Sequence, residues 1–307
     1  MAAHVAESSA KVHLLDGALG TELGRRGVET RGGLFSAAAL LDERGRATLR
    51  AVQREYVDAG AQVITAATFR TNRRALAAAG LESRFPELAR LAVREAREAA
   101  GTRARVAGSM APLEDCYRPD LRPAPPQAAR EHLEHAQALA GAGCDLLLVE
   151  TVAAADEGLA AVAAAAATGL PVWVAAMAAP HGTMLDGSDL AAFFRRAVAA
   201  GASAALVNCT PPDGVDLALG AAASAGVPFG AYAHLGEVDP AVPWGNAPVL
   251  DPAEYARRAL RWIERGASIV GGCCGTGPAH IRALAEALVK IRDDTGGGVH
   301  PHGPPKK

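Results

Sequence analysis

Cys273 and Cys274 are adjacent in the stretch Ile269-Val270-Gly271-Gly272-Cys273-Cys274-Gly275-Thr276-Gly277-Pro278. A short β-branched run leads into them, and Pro278 opens a segment in which Ile281, Leu284 and Leu288 recur at helical spacing. The stretch reads as strand, corner, helix. Vicinal cysteines are poorly placed to form a disulfide with each other, because ordinary bridge geometry needs two Cα atoms that face one another. A soft metal ion is the better use of two thiolates. Neighbouring side chains in a regular strand point to opposite faces, so both sulfurs reach one ion only if the backbone leaves β geometry. Gly271, Gly272 and Gly275 are expected to permit that. A third ligand is expected at Cys209, where the buried-strand run Ala204-Ala205-Leu206-Val207-Asn208-Cys209 gives way to Pro211 and Pro212. Three thiolates with no fourth nearby make the donor set of a catalytic zinc site, in which one position stays open for a substrate. The competing reading, that buried cysteines serve as small hydrophobes, is kept for Cys116 and Cys144. Applied to the other three, it leaves the glycine setting without a reason.

The positions that must hold these sulfurs follow from the rest of the chain. At 307 residues, half of them hydrophobic, it can bury a large core, and an α/β barrel reaches this size as one domain. A net charge of -2 with no basic run argues against nucleic-acid and membrane-surface partners. Five cysteines, no charged-then-apolar signal segment and no uninterrupted apolar run point to a soluble protein of a reducing compartment, the cytoplasm. Self-association as a homo-oligomer is left open.

Strand and helix patterns alternate from residue 13 onward, which favours a parallel sheet. Eight strands are expected at 13–16, 62–68, 105–110, 145–151, 172–177, 204–209, 229–234 and 268–273, with helices over 49–59, 86–100, 127–142, 156–168, 188–200 and 252–265. Gly60, Gly101, Gly143, Gly201 and Gly266 follow helical segments, as left-handed caps do. The count predicts a single-domain (β/α)8 TIM barrel over residues 13–293, with a flexible N-terminus at 1–12 and a disordered tail at 294–307 that contains His300 and His302. An open doubly wound sheet is the alternative. Asp16-Gly17, Thr68-Phe69, Glu150-Thr151, Asn208-Cys209, His234 and Cys273-Cys274 all fall at strand C-terminal ends, the active face of a barrel. Each has a plainer reading. Asp16-Gly17 suits a turn, Glu150 a structural ion pair, Asn208 a support for the Cys209 loop, and His234 a loop hydrogen bond rather than a fourth ligand.

With these residues in view, the chain resembles the homocysteine S-methyltransferase family of zinc-dependent barrels, over roughly residues 14–288. The likeness rests on Leu15-Asp16-Gly17-Ala18-Leu19-Gly20-Thr21-Glu22-Leu23, Ala59-Gly60-Ala61 leading to Thr68-Phe69, Leu148-Val149-Glu150-Thr151, Val207-Asn208-Cys209 and Gly271-Gly272-Cys273-Cys274-Gly275. The resemblance implies that Cys209, Cys273 and Cys274 bind Zn2+ and that the homocysteine sulfur takes the open position. It also implies that Asp16, Gly17, Thr68 and Glu150 hold the amino-acid end of homocysteine, with Phe69 and Asn208 beside them. Zinc lowers a thiol pKa, and three cysteine thiolates leave the bound substrate sulfur electron-rich.

A transferable methyl group sits on a positive centre, so the donor is expected to be a sulfonium, S-methylmethionine ahead of S-adenosylmethionine. Betaine would ask for an aromatic cage, and the chain is only 4% aromatic, with Phe35 where relatives commonly have tryptophan. Ala231-Tyr232-Ala233-His234-Leu235-Gly236 and the loop holding Cys116-Tyr117-Arg118 depart from the family pattern. Two readings from other classes compete. One is a barrel enzyme for phosphorylated substrates, cradled by the glycine-rich loops after strands seven and eight. The other is a non-enzymatic zinc or thiol-redox sensor.

Overall fold

The computed structural model describes residues 12–30, 32–237 and 246–296. Residues 1–11 and 297–307, and with them nearly all of the expected flexible N-terminus, most of the expected tail and both His300 and His302, lie outside the described residues.

Eight parallel strands make the sheet: β1 (His13–Leu14), β2 (Val63–Thr65), β3 (Arg105–Met110), β4 (Leu146–Val152), β5 (Val172–Ala176), β6 (Ala204–Asn208), β7 (Phe229–Tyr232) and β8 (Ile269–Val270). Their spatial order is β1-β8-β7-β6-β5-β4-β3-β2. A bridge between Leu15 and Val63 brings the first strand alongside the second, so the sheet nearly closes on itself. This is the (β/α)8 barrel, and an open sheet is set aside. A short ribbon pairing Gly236–Glu237 with Asn246–Ala247 lies outside the barrel sheet. Among the described residues no helix is long and apolar enough to cross a membrane.

Alternation along each strand sorts side chains into two cores. Leu15, Val63, Leu146, Leu148, Leu206 and Ile269 fill the barrel interior, while the opposite faces join the helices in one larger cluster. Trp173, at the N-terminal end of β5, stacks near His13 with Arg105 over its ring at 5.4 Å. All three lie at the N-terminal ends of their strands, so these side chains cover that mouth of the barrel.

Of the six helices expected from the sequence, the one at 49–59 begins earlier, as Glu43–Asp58, and the other five appear within two residues of their places, for example Phe85–Ala100 and Pro252–Glu264. The last begins with Asp251 accepting from Glu254 N at 2.8 Å and Pro252 in the first turn, as the capping pattern demands. Four strands end two or more residues short of their expected bounds: the first at Leu14 rather than residue 16, the seventh at Tyr232 rather than residue 234, and two more by a larger margin. The second strand ends at Thr65 rather than residue 68; on the β1 side the Thr65 N–H is taken by the Asp16 carboxylate (2.7 Å) instead of a strand carbonyl. The eighth ends at Val270 rather than residue 273, beyond which the backbone turns toward Asp16 and Ala233.

Strand β7 passes very close to β8 at Gly230, where an added Cβ would lie 1.7 Å from the Ile269 carbonyl oxygen. Neither strand can withdraw without breaking the ladder. Gly230→Ala is therefore expected to destabilise the barrel by roughly 3 kcal/mol, measured as a lower urea midpoint, and an unchanged midpoint would contradict this packing.

Candidate metal centre and substrate cleft

The sulfurs of Cys209, Cys273 and Cys274 converge at the C-terminal mouth, all within 4.8 Å of one another. Cys209 follows directly on β6, and its φ of 47° turns the chain out of the strand. That left-handed residue is held from below. Asn208 Nδ2 donates to Thr151 Oγ1 (3.0 Å), Asn208 Oδ1 accepts from Thr151 N (3.1 Å), and Thr151 is itself left-handed at φ 58°. Strained backbone at the ends of β4 and β6, which flank β5, marks a site that the surroundings must enforce.

On the other side, Leu235 N donates to the Cys274 carbonyl (2.7 Å) and Thr276 Oγ1 to the Cys273 carbonyl (2.6 Å), fixing the turn that brings both sulfurs to one face. The expected glycine mechanism holds at one position of three. Gly275 has φ 83°, whereas Gly271 and Gly272 serve because there is no room: a Cβ on Gly272 would lie 2.1 Å from Thr276 Oγ1. The neighbouring Cys209 and Cys273 thiols hold Cys274 well below its ordinary pKa by hydrogen-bonding to it. Three convergent soft donors, one already inclined to ionise, fit a thiophilic ion and leave a fourth position to an outside ligand.

The centre opens on a cleft of about 1660 Å³ whose lining includes Asp16, Gly17, Phe69, Glu150 and the three cysteines. Asp16 is 3% exposed, and its Oδ2 accepts from Thr65 N (2.7 Å) and Thr65 Oγ1 (3.0 Å). Burial pushes its carboxyl up to about 7, against those hydrogen bonds and with the help of nearby Glu150. Glu150 is also raised, chiefly by burial; it accepts from the Ser109 hydroxyl and from Tyr232 OH at 2.9 Å. No arginine pairs with it among the described residues, so the structural ion pair weighed for Glu150 is not formed. Two buried carboxyls at the mouth of a cleft, each costly to ionise without a partner, suit a cationic ligand.

Two of the expected substrate residues do not line the cleft. Thr68 is fully buried and donates to the Ser109 carbonyl at 2.8 Å, bracing the segment after β2 against β3. Asn208, also fully buried, spends its amide on Thr151. His234 is buried, donates its backbone N–H to Thr210 O (3.2 Å), and is not one of the clustered ligands. Cys116 faces the cleft, whereas Cys144 sits in the larger core behind β3, and burial pushes both thiols up to about 12.

Residues not singled out as site residues complete the constellation. Thr65, Ser109 and Tyr232 hold the carboxylates, and Tyr117 OH lies 3.3 Å from Cys209 Sγ. Ser109 carried a signal, being the hydroxyl in an otherwise apolar strand end.

Residues 13–288 match the family model described as Homocysteine S-methyltransferase. The chain belongs to this family. Methionine synthase of Mycobacterium tuberculosis is 30% identical over 302 residues, 92% of this chain but 25% of that protein, so the chain spans about a quarter of the length of that relative. A homocysteine S-methyltransferase of Escherichia coli is 32% identical over 303 residues, 88% of this chain and 93% of that protein. Among solved structures, the metallated form of the homocysteine methyltransferase MmuM from Escherichia coli superposes with a TM-score of 0.77 at 27% identity, covering 91% of this chain and 96% of that one. This member of the homocysteine S-methyltransferase family thus combines the barrel with a cluster of three cysteines at its mouth.

Proposed function

We propose that the protein transfers a methyl group from a sulfonium donor, S-methylmethionine or S-adenosylmethionine, to the thiolate of homocysteine, giving methionine, with Zn2+ held by Cys209, Cys273 and Cys274. The observation that carries this reading is the juxtaposition in one cleft of three convergent sulfurs and two buried carboxyls. Homocysteine has the two matching ends, a thiol for the soft centre and an ammonium for the carboxylates. Zinc, when bound, supplies the Lewis acidity that keeps the substrate sulfur ionised at neutral pH. The chain's own residues do the rest. Asp16 and Glu150 hold the amino-acid end, and Gly17 lets the backbone beside Asp16 lie close against Tyr56 and Thr276, where a Cβ would come within 3.0 Å. Phe69, packed against Phe35 at a ring separation of 5.9 Å, forms an apolar wall that excludes water from the transfer path. Holding sulfur and methyl carbon in line at near-attack distance is the main source of rate. Reduced cysteines in this role go with a cytoplasmic location.

Betaine is a second reading, favoured by one observation. Although few aromatics are present overall, Phe35, Phe69, Tyr117 and Tyr232 all line this cleft, and aromatic faces attract onium methyl groups of either kind. Zinc-loaded protein given homocysteine with S-methylmethionine, S-adenosylmethionine or betaine in separate reactions distinguishes them. Methionine is expected from a sulfonium. Turnover with betaine alone would replace the donor assignment, and no turnover with any donor would refute the acceptor or the donor class.

A further inference from the structure

The hydroxyl of Tyr117 lies 3.3 Å from Cys209 Sγ, and nothing in the binding of metal or homocysteine described above gives it a task. Tyr117 does not come from the strands that carry the sulfurs. It belongs to the loop after β3, which is tied down independently of them. Arg70 Nη1 donates to the carbonyls of Pro112 (3.2 Å) and Glu114 (2.6 Å), and Arg74 pairs with the Glu114 carboxylate at 2.9 Å. Leu113 N donates to Glu157 Oε1 (2.8 Å), and Tyr117 N to Asp115 Oδ1 (2.9 Å). Held from both sides, the loop aims the hydroxyl at the sulfur.

The sulfur it meets is in an unusual place. Cys209 is 6% exposed and packs with Ala153 and Met177, with Tyr117 and Leu185 against it. A thiolate in an apolar niche loses the solvation that restrains its nucleophilicity, and a hydroxyl donor restores part of it. Given the zinc and methyl-donor reading above, on which this inference rests, the site faces a problem of selectivity. An electrophilic methyl group brought into the cleft meets the cysteine thiolates as well as the intended acceptor. A methylated cysteine is a neutral thioether, so a single misdirected transfer removes an anionic ligand from the centre.

We propose that Tyr117 is a positioning residue for this selectivity: its hydroxyl donates to the Cys209 thiolate, lowers the nucleophilicity of that sulfur, and so keeps the methyl group from the protein's own ligand. The reaction it suppresses is a simple displacement. A lone pair of Cys209 Sγ forms the new S–CH3 bond, the bond from carbon to the leaving group breaks, and the leaving group departs with that electron pair; no proton moves.

The test uses methyl iodide, which needs no donor site. Zinc-loaded parent protein and Tyr117→Phe are exposed to it, methylation of Cys209, Cys273 and Cys274 is followed separately by peptide mass spectrometry, and zinc release is followed with a chromogenic chelator. Phenylalanine keeps the ring and removes only the hydroxyl. Cys209 is expected to be methylated on the order of tenfold faster in the variant, as loss of a hydrogen bond to a charged acceptor predicts, with zinc released in step and the other two sulfurs unchanged. Equal rates at Cys209 overturn the inference even where zinc binding and homocysteine methylation both stand. Acceleration at all three sulfurs also overturns it, because that reports a loosened cleft. If no methionine forms but the split at Cys209 persists, the proposed substrate reading fails and this inference survives. A protein that binds no zinc overturns both.

Discussion

Cys273→Ala should abolish zinc binding and methyl transfer together. Three sulfurs within 4.8 Å of one another give a thiophilic ion its whole protein donor set, and two thiolates hold zinc far more weakly than three while leaving two positions to solvent. Metal content by atomic emission should fall from about one equivalent to background, and the methyl-transfer rate to below roughly a thousandth of the parent. Misfolding is a poor competing explanation. Cys273 is only half-buried, and its backbone bonds to Ala233 and Thr276 do not involve the sulfur. The melting curve should therefore match that of the parent stripped of metal. Cys144→Ala is the control. That thiol packs in the larger core behind β3, away from the mouth, so its loss should lower stability slightly and leave zinc content alone. Full activity in a zinc-free Cys273→Ala protein would sink the assignment of the centre.

How much of this could be read from the sequence depends on how far apart the interacting residues are. Strand β3 was legible end to end, because Arg105–Met110, apolar but for Arg105 and Ser109, is bounded by the helix-ending Gly101 and by Pro112. The sulfurs were legible too, since glycines around adjacent cysteines and prolines after Cys209 are local signals. The helix Pro212–Ala223 left little trace, being rich in glycine and alanine with no sharply apolar face. What stayed hidden is cross-strand. Thr65 and Asp16 are 49 residues apart, Tyr232 and Glu150 are 82, and Tyr117 and Cys209 are 92. Such partners become visible only once register is known. The hydrogen bonds of Thr68 and Asn208 are hidden in the same way. Both sit near strand ends facing the mouth, but their polar atoms are taken by Ser109 and Thr151.

Asp16→Asn should weaken homocysteine binding and, at neutral pH, make the protein more stable. The Asp16 carboxyl is raised from 3.8 to about 7, mainly by burial. Between those values the native state keeps a proton that the unfolded chain has released. Stability therefore falls as pH rises from about 4 to about 7, and above that range the buried charge costs about 4 kcal/mol as an order of magnitude. Asparagine carries no charge, and its oxygen can still accept from Thr65 N and Oγ1, so the variant should lack this decline and melt higher at pH 8. Substrate binding should move the other way. The ionised carboxylate is the partner proposed for the homocysteine ammonium, so the parent should bind homocysteine more tightly as pH rises through about 7. In the variant that dependence should vanish and KM for homocysteine should rise on the order of a hundredfold, with zinc content unchanged. Melting curves from pH 4 to 8 and calorimetric titration of homocysteine into zinc-loaded protein measure the two halves. A variant that is more stable yet binds homocysteine as the parent does would leave Asp16 a buried turn residue, and Glu150 would then have to hold the ammonium alone.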